Sequence, residues 1–473
     1  MEATLPISAV AKPATGKSRP IESAATSVTL PLSFIVVGIC ALFVGVGWLI
    51  AQPELLTNYH YNPSIVALTH LFVLGWICSV VMGATYQLVP VALETKLYSE
   101  RLAKWQFAFH LVGFVGMVVM FRTWNMKQVG HFGTVMAVSA GLYVFNIVRT
   151  LLQIRKWNVV AVAIACALVW FAIAVLAGLS IAAAKCSYES TGGLATAGGV
   201  RSLVGGLRSV GAFMSHFDPI GAMHAHAHLG TVGMFAMLIV GVSYKLVPMF
   251  TLSEIQSSRR AIASVALLNV GLVGSVVSIL LRSPWKFFCA LVVICALAIY
   301  GWEIVAIVRA RKRAVVDWGV RSFLLAVGTL APISVLAAVL AWPKLPITAF
   351  TTRLETLYGF LGIVGFVTFA IIGMLHKIVP FLVWFHTYSP HVGRAQVPAV
   401  ADMYSVPLEV VGFWIWLAGL VTASAGILLQ KSYTVDWGVV LLATCLALFA
   451  INVGKILLHL FRPVLTPLSS TTH

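Results

Sequence analysis

The residues His224-Ala225-His226-Ala227-His228-Leu229-Gly230, and the apolar run that follows them to Tyr244-Lys245-Leu246-Val247-Pro248, decide how this chain is read. The run is long enough to predict a membrane-spanning helix that opens with three histidines at alternate positions. At about 100° per residue, His224 and His228 share a face one turn apart, while His226 points to nearly the opposite side. Imidazole facing lipid is costly, so histidines at this depth point to function. The plain alternative is a set of polar packing groups hydrogen-bonded to neighbouring helices, for which one histidine would suffice.

The same pattern occurs twice more. Counting from His228 as position zero, Leu229 stands at +1, Gly233 at +5, Gly241 at +13, Tyr244 at +16 and Leu246-Val247-Pro248 at +18 to +20. From His70 the same offsets give Leu71, Gly75, Gly83, Tyr86 and Leu88-Val89-Pro90. From Phe360 they give Leu361, Gly365, Gly373, His376 and Ile378-Val379-Pro380. This is a threefold internal repeat. Its third copy has Phe where the others have His, and His where they have Tyr. The two glycines of each copy lie within about 80° around a helix, a small-residue stripe for close packing.

Composition sets the class. Hydrophobic residues make up 60% of the 473, charged residues 10%, and mean hydropathy is +0.98. A soluble domain carries about 25% charged residues, so the chain is predicted to be an integral membrane protein. Its net charge of +17 then reflects the positive-inside rule and not nucleic-acid binding. The seven cysteines form no Cys-x-x-Cys-His, which excludes covalent haem attachment of the c type, and no disulfide or zinc framework.

At about 20 apolar residues per crossing, twelve spans are predicted: 30–52, 64–92, 103–122, 130–153, 158–183, 219–250, 260–282, 287–309, 321–342, 355–385, 407–429 and 435–461. They form an all-α domain over 30–461 in three pseudo-symmetric groups of four, with repeats of about 30–153, 158–309 and 321–461. Residues 1–29 read as a flexible tail and 462–473 as a second tail. With both termini in the cytoplasm, 21 of the 31 Lys and Arg fall inside and 10 outside. The repeats then lie on spans 2, 6 and 10, with His70 and His228 at matching depth in the outer half.

Imidazoles in a helical bundle suit haem iron or copper. A haem clamped between helices needs one histidine from each, at one depth. His70 meets that condition, and repeat symmetry nominates His228 as its partner. His226 points the other way, toward a second haem or a copper. His224 assists from the first side or hydrogen-bonds a ligand. A proton path normally needs acids, and only Glu303 and Glu409 come near. His110 reads as a packed helix residue, His60 and His131 as interface residues, and Lys245 and Lys377 as snorkelling charges.

Twelve spans in groups of four, with histidines on marked helices in the outer half, resemble subunit I of the haem–copper oxidases and nitric oxide reductases. The phrasing His226-Ala-His228-Leu-Gly is most similar to the cbb-type members, in which a His-x-His serves two haems from one helix. The resemblance implies that His70 is an axial ligand of a low-spin haem. Two departures matter. The family's His-x-His lies on span 10, where this chain has Phe360 and Leu361, and span 7 has no histidine to complete a copper site. The implied protein is therefore a diverged haem-binding relative with haem b in the slot between spans 2 and 6. One haem is expected, a second and copper being left open. Its expected setting is respiratory electron transfer or oxygen and nitric oxide chemistry in a bacterial plasma membrane, with other respiratory subunits or a cytochrome c-type donor as partners. The alternative is a non-redox transporter or a metal- or haem-handling protein that reuses the fold.

Overall fold

The computed structural model describes residues 27–191 and 209–467. The tail before residue 27, residues 192–208 of the glycine-rich segment 184–218, and the residues after 467 lie outside them. Among the described residues, twelve helices are long and apolar enough to cross a membrane, as the sequence predicts. In chain order, spans 1 to 4 are Thr29–Ala51, Pro63–Ala92, Glu100–Arg122 and Met126–Leu151. Spans 5 to 8 are Val159–Cys186, Pro219–Thr251, Ser258–Leu280 and Lys286–Arg309. Spans 9 to 12 are Trp318–Ala341, Ala349–Thr387, Val406–Leu429 and Ser432–Phe461.

Spans 2, 6 and 10 are the inner helices. Their central apolar stretches are 67%, 72% and 72% buried, against 28–44% for the other nine. Each starts with a defined cap: the Asn62 side chain accepts from Ser64 N–H ahead of Pro63, Asp218 accepts from Gly221 N–H ahead of Pro219, and Thr348 and Thr351 cap each other. We call the end of the bundle where these three spans begin the upper end.

The repeat holds in the side chains. The +13 glycines let each inner helix press on the first span of its own group: an added Cβ at Gly83 meets Phe34 at 2.6 Å, at Gly241 it meets Ala163, and at Gly373 the Gly319 carbonyl at 2.7 Å. The +16 residues reach the third span of their group, Tyr86 donating to Gln106 at 3.1 Å and Tyr244 pairing with Ser264 at 2.7 Å. In the third group His376 lies 3.9 Å from Glu409. A buried residue of the fourth span ties down the loop before the third. Asn146 bonds both backbone groups of Ser99, Asn452 does the same to Ser405, and Glu303 accepts from Gln256 and Ser257 N–H.

One feature of all three inner helices has no counterpart in the sequence reading, which takes them as regular α-helix. Immediately after the zero position the chain widens into eight residues of π-helix: Leu71–Cys78, Leu229–Ala236 and Leu361–Thr368. Such segments are rare and concentrate at functional sites. The π segments of spans 2 and 6 both pack on that of span 10, and the Trp76 indole N–H donates to Thr368 at 3.1 Å.

Candidate functional site

The trio His224, His226 and His228 lies in the α-helical first part of span 6, so the alternation of faces survives. His228 Nδ1 lies 2.7 Å from the carbonyl of His224, and His70 Nδ1 lies 2.8 Å from that of Val66, one turn back in each case. His226 turns the other way, with Nδ1 3.0 Å from the Ala174 carbonyl of span 5. A ring nitrogen that meets a carbonyl carries the proton, which leaves Nε2 as the lone-pair donor on each ring.

The pairing differs from the one expected from repeat symmetry. His70 faces His226 and not His228: the two rings are 6.5 Å apart between centres and within 15° of parallel. His228 faces Tyr358 of span 10, at 6.0 Å and 25°, and the Tyr358 hydroxyl is 3.4 Å from His228 Nε2. Both contacts obey one rule, that position zero of one group meets position −2 of the next. Equivalent residues occupy equivalent places in successive groups, so His70 and His228 look onward to the next group and not at each other. Tyr358 is thus a site residue that the sequence reading misses, although it stands at the same −2 register as His226.

The third junction, from group three back to group one, has Phe360 at zero and the buried Leu68 at −2. Phe360 lines a cavity of about 20 Å³ with Leu42, Val46, Phe72, Trp416 and Leu442. That is room for about one water, and neither Phe360 nor Leu68 offers a ligand to iron.

The first junction has walls of a different kind. The Phe121 ring of span 3 lies 4.4 Å from His70, and Ala67, Met126, Val129 and Ala182 pack around it. On the far side His226 lies against the backbone of span 5 at Gly178, where a Cβ would come within 2.9 Å of its ring. A haem iron takes one imidazole on each face. At about 2 Å per metal–nitrogen bond, and about 1 Å more to each ring centre, such rings sit about 6 Å apart between centres. The donor set and spacing of His70 and His226 fit this ligation.

The remaining histidines are placed as follows. His224 lies 5.8 Å from His60 between ring centres, and His60 Nδ1 is 3.8 Å from Glu355. Among the described residues neither ring nitrogen of His60 has a hydrogen-bond partner, and burial lowers its pKa from the ordinary histidine value. His110 is a packed helix residue, 2.9 Å from the Ser79 hydroxyl, and His131 meets Gln128 near the surface. Lys377, expected to snorkel, is instead ion-paired with Asp317 at 2.9 Å. Among the described residues, no three His, Cys, Asp or Glu side chains converge as a metal site.

Over residues 21–128, which contain spans 1 to 3 and His70, the sequence matches the family model of cytochrome c and quinol oxidase polypeptide I. No curated protein matches the sequence. In fold, the chain is similar to a chain from a cryo-EM structure of a haem–copper terminal oxidase dimer. The two share 12% identity with a TM-score of 0.60, over 91% of this chain and 82% of that one. The twelve-helix fold is similar to that of the haem–copper terminal oxidase chain, and spans 1 to 3 carry the sequence likeness to oxidase polypeptide I.

Proposed function

We propose that this protein is a membrane electron-transfer protein of the subunit I type that holds one haem b between His70 and His226. The observation that carries this reading is the facing pair of rings, 6.5 Å apart, each with its Nδ1 proton committed to a backbone carbonyl. The Val66 and Ala174 carbonyls fix the tautomers, so both Nε2 atoms are basic and both rings are held in orientation before any ligand arrives. Phe121 lies against the His70 ring, and Gly178 lets span 5 close on His226. A haem bound there supplies one-electron transfer with both axial positions taken by protein, which favours electron carriage over oxygen binding at this site. The Tyr358 hydroxyl holds His228 at the second junction, which is why one haem is proposed and not two. Oxygen or nitric oxide chemistry at that junction would first require His228 and Tyr358 to part.

The excess of basic residues at the opposite end supports an orientation with the upper end outside and both termini in the cytoplasm. A cytochrome c-type protein or a companion subunit then delivers or receives electrons near the upper end, in a bacterial plasma membrane. The test is the reduced-minus-oxidised spectrum of the purified chain together with its haem content. One b-type haem per chain with a low-spin spectrum is expected. A colourless protein would contradict the reading and leave a non-redox transporter as the better account.

A further inference from the structure

We propose that Lys185, with Arg122 as a second cation at the same end of the bundle, forms an anion-holding mouth at the upper end of the first junction and there takes the carboxylates of the bound haem. The inference rests on the His70–His226 reading above.

Span 5 carries the main argument. Ala174 accepts from His226, Gly178 lies against its ring, Ala182 belongs to the wall around Phe121, and Lys185 comes next. These four residues fall within about 80° on one face of the helix, with Lys185 about 10 Å above Gly178. The groups around Lys185 come from the same walls. Its Nζ donates to the Tyr61 hydroxyl at 2.8 Å, just ahead of span 2, and lies 5.1 Å from the Tyr61 ring centre and 5.5 Å from that of Trp124. Trp124 follows span 3, three residues past the Phe121 that covers His70. Arg122, next to Phe121, sits over the ring of Trp48 at 5.8 Å.

Among the described residues, neither Lys185 nor Arg122 forms an ion pair. Aromatic faces attract a cation without neutralising it, and an ammonium that spends one donor on Tyr61 has two left. The upper end near the second junction is charged differently: Asp218 pairs with Arg282, and Glu355 faces His60. At the first junction the two cations form no ion pair with a described residue, whereas at the second the cations Arg282 and Lys286 stand among the acids Asp218 and Glu355. A haem presents its two carboxylates along one edge of the macrocycle, and with the iron at His70 and His226 an edge turned to the upper end would meet Lys185. A lipid phosphate offers a similar charge from another source.

The test is uptake of haemin and of haemin dimethyl ester by the full-length apoprotein in detergent, read by the bis-imidazole spectrum. The unaltered chain should bind the free acid about tenfold more tightly than the ester, the scale of one charge-assisted contact. Lys185→Gln should bring the ratio close to one, and Lys185→Arg should restore it. Arg122→Gln should narrow the ratio by a smaller factor, and it serves as the second variant should Lys185→Gln fail to insert. A ratio unchanged in Lys185→Gln would overturn the proposal and leave the lysine to lipid phosphate. An unaltered chain that forms no bis-imidazole spectrum with either compound overturns the haem reading as well.

Discussion

The first and third junctions use the same register positions of the same repeat, yet one presents two imidazoles and the other presents none. At the first junction, His70 and His226 stand 6.5 Å apart with Phe121 and Gly178 shaping the space beside them. At the third, Phe360, Phe72, Trp416 and their neighbours fill the corresponding space to within about 20 Å³. The second junction lies between these extremes, with one imidazole closed off by Tyr358. The shared scaffold of caps, glycine stripes and π segments is therefore indifferent to the chemistry it carries. Two side chains per junction, at zero and −2, decide whether a ligand pair exists.

The comparison can be broken at either end, and the largest effect is expected at the first junction. Gly178→Val pushes against an imidazole that a single Cβ would already meet at 2.9 Å. Overpacking of this kind costs about 1–3 kcal/mol, and here it displaces a ligand. Haem content should fall at least several-fold while the protein still inserts, and normal haem content would show that span 5 does not shape the site. A smaller effect is expected from Phe360→His, which puts an imidazole into the apolar junction with no facing partner for its Nε2. An unsatisfied buried polar group costs about 1–3 kcal/mol, so thermal stability in detergent should drop and no second haem signal should appear. A second low-spin signal would mean that the junctions are less different than their packing indicates. The smallest change is Tyr358→Phe, which removes one long hydrogen bond to His228. It should cost under about 1 kcal/mol and leave the spectrum unchanged. A shifted axial-ligand spectrum would instead place His228 on the iron.

The scaffold was legible because it is dictated by composition and period. Twelve apolar runs, the glycines at +5 and +13 and the threefold offset lead directly to the observed spans and their grouping. Which residues face each other was less legible. Matching His70 with His228 treats equivalent positions as neighbours, whereas groups that pack in succession bring position zero against position −2 of the next. The signal was present, since His226 and Tyr358 share that register, but it appears only once the packing of groups is known. The π segments left no such trace: Leu71–Cys78, Leu229–Ala236 and Leu361–Thr368 have the composition of ordinary apolar helix. The Lys377–Asp317 ion pair was hidden for a similar reason, because it joins residues 60 positions apart across two spans.

The central claim is that His226, and not His228, is the partner of His70, and electron paramagnetic resonance of the oxidised protein tests it most directly. The unaltered chain and His228→Ala should both show the low-spin signal of a bis-imidazole haem, and His226→Ala should lose it. A signal that survives in His226→Ala and vanishes in His228→Ala would contradict the account.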